Sequence, residues 1–283
     1  MKIAYSGIEG SFADIAVSYL DPEAERIPYR TFAKAYQSVQ DGENDLALLP
    51  IENSYAGEVG QVTDLLFFGD LIVTGVYELP VVHCLLGTQD ADTETVKTVI
   101  SHPQALEQCG AFIAKWGYHT VSSENTARAA KEVAKNNDKT QAAIASRETA
   151  KLYGLKILME SINDSADNTT RFAALKKADP NGLSAQDEVC YNTGETVNSI
   201  LMFTVRHESG TLARALSVLG DFGYNMRVIR SRPLRNKNWD YYFYIEVEGN
   251  LFSEKGKQML AGLKYECGEL KVPGIYIPGK TLA

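Results

Sequence analysis

An apolar run, a short polar loop and a segment with helical spacing follow one another four times in the first 154 residues, and this repeat restricts the fold more than any other feature. "KIAYSG" gives way to "SFADIAVSYL", where Phe12, Ile15, Ala16, Val17 and Leu20 recur at the spacing of one helix face. "DLALLP" stops at Pro50, passes through "ENSYAG" and continues with Val59, Val62, Leu65 and Leu66. "VKTVI" is followed by "SHPQ" and by Leu106, Cys109, Phe112, Ile113 and Trp116. "QAAIAS" leads into "RETAKLYG", with Gly154 placed to end the helix. Strands alternating with helices predict an α/β sheet.

The polar residues of this repeat fall at 6–11, 52–54, 101–104 and 146–147, each time between a strand and the helix after it. In an open α/β sheet such loops share the edge beyond the carboxyl ends of the strands, where ligands bind. Helix N-termini offer unpaired N–H groups and a positive dipole end there, so the pattern predicts an anion-binding cleft. The net charge of −8 argues against a nucleic-acid partner. Residues 1–194 carry 16 Lys and Arg against 27 Asp and Glu, whereas 195–283 carry 12 against 9. An anion bound by the acidic part must therefore be held by local donors, not by the overall field.

Other classes are disfavoured. No apolar run reaches the ~18–20 residues that span a bilayer, so no membrane partner is expected. "MKIAYSGIEGSF" reads as a strand and loop, not a signal peptide. Cys84, Cys109, Cys190 and Cys267 are far apart and form no CxxC pair, as expected of reduced thiols in a cytoplasmic protein. "GIEGSF" is neither GxGxxG nor a Walker loop, and no His/Cys/Asp/Glu group has metal-ligand spacing, so neither nucleotide cofactor nor metal is expected.

The pattern changes after a stretch rich in Gly, Asn, Asp and Pro near 178–197. "SILMFTVR", "GTLARALSVLGDFG", "YNMRVIRSRP", "WDYYFYIEVEG", "SEKGKQMLAGLKYE" and "CGELKVPGIYI" read as β-α-β-β-α-β, the ferredoxin-like order.

Several short motifs have both a structural and a chemical reading. In "SHPQ", Ser101 can cap a helix with Gln104 as its capping-box partner and Pro103 in the first turn. Glu52, Asn53 and Ser54 can be a turn, or an anion-facing set at a strand end. "DNTTRFAAL" (167–175) can begin a strand, or present Thr170 and Arg171 to a ligand.

Six motifs in order, "GSFAD", "LLPIENSYAGEV", "LPVVHCLLG", "SHPQALEQC", "AAIAS" and "NTTRF", make residues 1–178 resemble the prephenate dehydratases. Residues 197–283 resemble the ACT regulatory domain that often follows them, joined by a linker at 179–196. The resemblance implies a periplasmic-binding-protein-like catalytic domain whose two lobes (1–78 with 163–178, and 79–162) face a cleft. It implies decarboxylating dehydration of prephenate to phenylpyruvate without a cofactor. With Met1 opening directly onto the first strand, the chain is expected to resemble the monofunctional form, without a preceding chorismate mutase segment.

By that resemblance Thr170 is the catalytic donor to the departing hydroxyl. Arg171, Asn53, Glu52, Ser101, Gln108 and Ser11 bind or orient the substrate. Gly210, Thr211, Leu212, Ser231, Arg232 and Pro233 hold a phenylalanine effector between paired subunits of a homodimer or homotetramer. Departures occur at Ile8, where a proline is frequent, and at Thr211 and Arg230, where the family has Ala and Glu. Two alternatives stand beside this reading: arogenate as substrate, and a non-catalytic two-lobed solute sensor.

Overall fold

The computed structural model describes residues 1–178, 196–234 and 239–282. Cys190 and nearly all of the expected linker at 179–196 lie outside the described residues. The chain begins with β1 (Lys2–Ser6), α1 (Phe12–Leu20), β2 (Glu25–Tyr29), α2 (Phe32–Gln40), β3 (Leu46–Asn53), β4 (Gly57–Glu58), α3 (Gly60–Phe68) and β5 (Leu71–Pro80). It crosses to β6 (Cys84–Gly87), β7 (Thr98–Ser101), α4 (Pro103–Gln108), α5 (Gly110–Trp116), β8 (His119–Ser122), α6 (Thr126–Asn136), β9 (Gln141–Ala145), α7 (Arg147–Tyr153) and β10 (Lys156–Met159), and returns as β11 (Thr169–Lys177). The described remainder is β12 (Asn198–Thr204), α8 (Thr211–Asp221), β13 (Met226–Pro233), β14 (Tyr241–Glu248), α9 (Glu254–Glu266), β15 (Leu270–Tyr276) and β16 (Lys280–Thr281).

Two sheets result. One has the order β10-β6-β9-β7-β8; the other runs β13-β14-β12-β15-β5-β11-β3-β1-β2, with β4 on β3 and β16 on β5. Local chemistry starts the helices: Ser11, Thr31, Asn125, Ser146 and Ser253 each accept a hydrogen bond from a first-turn N–H. The expected single helix after "SHPQ" is instead α4 and α5, broken at Cys109. The Gln108 carbonyl accepts from the Asp164 N–H at 2.8 Å, and the Asp164 carboxylate accepts from the Ala111 N–H at 3.1 Å, so a distant residue ends one helix and caps the next. The cap of α4 is His102, whose Nδ1 accepts from the Gln104 N–H, and not Ser101.

The region after residue 196 is built into the larger sheet. Ile200, Met202, Tyr242, Tyr244 and Tyr276 share one core with Ala4, Leu49, Leu66 and Leu175. Phe67 stacks on Tyr242 with centroids 4.1 Å apart. Lys271 Nζ donates to the Leu66 carbonyl at 2.7 Å and to that of Gly69, covering the C-terminal carbonyls of α3. Leu282, beyond β16, is buried with Ile15, Leu79 and Phe172. Among the described residues no helix is long and apolar enough to cross a membrane. Cys84, Cys109 and Cys267 are free, and burial pushes the Cys109 thiol up to about 12.

The seam between β15 and β5 is a single parallel bridge, Gly274 to Val73. A Cβ at Gly274 would collide with the Val73 carbonyl oxygen, so glycine is what allows the two backbones to meet. Gly274→Ala is expected to cost about 1–3 kcal/mol, as overpacking does. Urea denaturation measures this; a loss under about 0.5 kcal/mol would show that the seam is loosely packed.

Candidate active site

The pairing of β11 with β3 decides which side chains meet. Thr170 lies opposite Asn53 and Arg171 opposite Glu52, with a bulge just beyond. Successive strand residues face opposite sides, so the two cross-strand pairs point in opposite directions. Asn53 and Thr170 line a cleft of about 400 Å³ between the two sheets, together with Ser6, Ser11, His83, His102, Gln104, Gln108, Asn125 and Thr126. Phe12, Phe32, Pro50 and Phe172 supply apolar wall. No Lys or Arg is among the described lining residues.

Three expected substrate residues are not in this lining. Strand parity turns Arg171 away from the cleft. Its guanidinium donates to Glu52 Oε2 at 2.9 Å, to Glu246 at 3.1 and 2.9 Å, and to the Tyr276 hydroxyl at 2.8 Å. Glu52 goes with it, and also accepts from Arg230. Ser101 is fully buried, and its Oγ donates to the Ile144 carbonyl at 2.6 Å, tying β7 to β9. Ser11, Asn53, Gln108 and Thr170 are the expected residues that the structure brings together.

The orientation of Asn53 is set by main chain. Its Oδ1 accepts from the N–H groups of Tyr55 (3.1 Å) and Ala56 (2.9 Å), and from Gln104 Nε2 across the cleft (3.4 Å). Its Nδ2 must then face Asn168 Oδ1 at 2.9 Å and Thr170 Oγ1 at 3.0 Å. Thr170 Oγ1 is an acceptor in that bond, which leaves its own hydrogen to be donated elsewhere. Burial holds both His83 and His102 below the ordinary imidazole range, so both rings are neutral near pH 7.

The sequence motifs give no site role to His83, Asn125, Thr126 or Asn168 and only a capping role to Gln104. A polar His83 inside the apolar run "LPVVHCLLG" was the available signal, since a buried imidazole needs a partner. Asn168 stands two residues before Thr170, on the same face if the strand is extended backwards.

The expected effector residues separate into two places. Gly210, Thr211 and Leu212 line a cavity of about 480 Å³ with Arg206, Tyr241 and Phe243. Gly210 has φ +80°, which a side chain would strain, and Thr211 Oγ1 closes the loop by sharing its one hydrogen between the carbonyls of Arg206 and Glu208. Along β13 the parity is again decisive. Ser231 and Pro233 are exposed, whereas Arg232 turns to α3 and donates to both oxygens of Asp64, at 2.8 and 3.1 Å.

Glu246 is 1% exposed and anchors the ionic seam. Burial alone would raise its pKa; Arg171, helped by Tyr244 and Tyr276, outweighs that and holds the carboxyl below its ordinary 4.5. The stability contributed by this lowered pKa is present above about 4.5 and is lost as pH falls through the folded-state value. Glu246→Gln is expected to remove that component from a stability–pH series. Glu246→Leu, which strands Arg171, is expected to cost about 3–5 kcal/mol. Equal acid sensitivity in wild type and Glu246→Gln would place the titrating group elsewhere.

Comparison with known proteins identifies the family. The family model for prephenate dehydratase matches residues 3–180. The chain is 34% identical over 291 residues to arogenate dehydratase/prephenate dehydratase 2, chloroplastic, of Arabidopsis thaliana, covering 100% of this chain and 74% of that protein. A solved structure described as GqqA, a novel type of quorum quenching acylase, matches with TM-score 0.88 and 30% identity over 99% of this chain and 98% of its own. Prephenate dehydratase of Arthrobacter aurescens in complex with L-Phe matches with TM-score 0.86 and 25% identity, over 98% and 89%. With the family match running through both sheets and the Asn53–Thr170 pair, the chain belongs to the prephenate dehydratase family and is a lyase-type dehydratase.

Proposed function

We propose that Thr170 is the donor to the departing hydroxyl of prephenate, and that Asn53, Gln108 and Ser11 orient the substrate in the two-lobed cleft. The observation that carries this is the Asn53 Nδ2 to Thr170 Oγ1 hydrogen bond at 3.0 Å, which leaves the threonine hydrogen free to donate. In the reaction the ring carboxylate leaves as CO2. Its bonding electrons aromatise the ring and expel the hydroxyl opposite, which takes a proton and departs as water. Charge grows on that oxygen, and a donor aimed at it lowers the barrier. The second carboxylate remains on phenylpyruvate and serves as a handle for neutral donors.

Arogenate differs from prephenate only by an ammonium in place of a keto group, and the Arabidopsis relative carries both names. It is the second reading. Acyl transfer, suggested by the GqqA relative, would need a hydroxyl nucleophile paired with a base. Among the described residues, no Ser or Thr hydroxyl lining the cleft pairs with a histidine or carboxylate.

The region from 197 on is read as the ACT regulatory domain of a homodimer or homotetramer, with phenylalanine bound at the Gly210–Thr211–Leu212 cavity. Arg230 on β13 reaches Glu52, the neighbour of Asn53, so movement of β13 has a short mechanical route to the cleft.

Purified protein is expected to convert prephenate to phenylpyruvate, and Thr170→Ala to lower kcat by roughly 10² with little change in KM. Running arogenate, with phenylalanine as product, ranks the two substrates by kcat/KM. Near-normal turnover by Thr170→Ala would remove the donor role. Calorimetry on the intact protein is expected to show phenylalanine binding that Gly210→Val abolishes. Arg230→Ala is expected to keep the binding heat and lose most of the effect on activity. Heat unchanged by Gly210→Val would move the effector site elsewhere.

A further inference from the structure

Gln108 ends α4 at the floor of the cleft, and its side chain is held from one side only. It is 4% exposed, and the neighbouring His83 is 2% exposed. Gln108 Oε1 accepts two hydrogen bonds, from Asn168 Nδ2 at 3.0 Å and from His83 Nε2 at 3.0 Å. Gln108 Nε2 and His83 Nδ1 have no hydrogen-bond partner among the described residues. A buried amide whose oxygen is doubly satisfied and whose nitrogen is unsatisfied calls for a partner from outside the chain, a ligand or a water.

The direction of every bond follows from one end of this chain. The backbone N–H groups of Tyr55 and Ala56 can only donate, so Asn53 presents its oxygen to them and its nitrogen to Asn168 Oδ1. Asn168 then presents its own nitrogen to Gln108 Oε1, and the Gln108 amide cannot be turned over without setting two nitrogens face to face. His83 meets the same oxygen, so its proton must sit on Nε2. Two backbone amides thus fix the imidazole tautomer of His83 through three side-chain amides.

We infer that His83 is a positioning residue for the dehydratase reaction: as the Nε2–H tautomer it holds, with Asn168, the Gln108 amide so that its NH2 donates to a carboxylate of the substrate. This rests on the dehydratase reading for the identity of the ligand, but not for the direction of the hydrogen bonds. A donor at a desolvated cleft floor acts on an anion without competition from water. Burial keeps the ring neutral, which is the state the tautomer requires. The competing role for His83 is packing, since its ring also stands edge-on to Phe12 with centroids 5.5 Å apart.

Two measurements separate these roles. Nitrogen-15 NMR of histidine-labelled free protein is expected to show His83 neutral with Nε2 protonated and Nδ1 bare. Protonated Nδ1, or an imidazolium at pH 7, would overturn the inference whatever the substrate proves to be. Steady-state kinetics with prephenate come second. His83→Leu is expected to raise KM roughly tenfold or more, and His83→Gln, which can place an N–H at the same point, to restore most of it. If His83 acts only through Gln108, His83→Leu costs nothing further once Gln108→Leu is present. Additive losses, or equal kinetics for the Leu and Gln variants, would reduce His83 to packing. Absence of turnover in the wild type with an intact tautomer would instead overturn the dehydratase reading and leave the hydrogen-bond assignment standing.

Discussion

The antiparallel pairing of β3 with β11 is the constraint on which the rest depends. It sets Asn53 against Thr170 on the cleft face and Glu52 against Arg171 on the opposite face. One register therefore fixes two sites. A one-residue slip of β11 would turn Arg171 into the cleft, leave Glu52 behind on the seam face, and set a threonine hydroxyl where the guanidinium now meets the buried carboxylate of Glu246. The parallel strands β1 and β2 extend the same sheet, and Pro50 and the bulge beside it end the regular ladder where the polar residues begin.

The charges are distributed accordingly. A dianionic substrate would meet a cleft wall with neutral donors and no described Lys or Arg, in a protein of net charge −8. Amide and hydroxyl donors held by other hydrogen bonds need no reorganisation as charge moves during the reaction. The arginines that a carboxylate might have claimed are used at the seam: Arg171 with Glu52 and Glu246, Arg230 with Glu52, and Arg232 with Asp64. A buried ion pair adds little net stability over a well-packed apolar contact, but it is costly to break on one side. The seam is thus better suited to holding β11 and β13 in one alignment than to adding stability.

Much of the architecture was legible. The repeated strand–loop–helix unit and the β-α-β-β-α-β order after residue 197 follow from periodicity and turn residues; the division of the four loops between two sheets, and the absence of Ser146 and Arg147 from the cleft lining, do not. The roles of adjacent residues were not. Thr170 and Arg171 are neighbours in sequence and face opposite sides in space, and only the register shows which side is the cleft. The same parity separates Ser231 and Pro233 from Arg232. Ser101 was misplaced because its hydroxyl is taken by a carbonyl 43 residues away, and the break at Cys109 depends on Asp164. Such long-range partners leave no local signal. His83 did leave one, a polar residue in an apolar run.

The most direct test of the account is the direction of the bond between Asn53 and Thr170. Asn53→Asp keeps the shape of the side chain but replaces the donating nitrogen with an oxygen. That oxygen would accept the Thr170 hydrogen and draw it away from the substrate. Single-turnover kinetics with prephenate should then show Asn53→Asp at least as slow as Thr170→Ala, roughly 10²-fold below wild type or more, with Thr170→Ala costing little further in the Asn53→Asp background. Turnover by Asn53→Asp within a few-fold of wild type would contradict the claim that this cross-strand pair presents Thr170 as the donor.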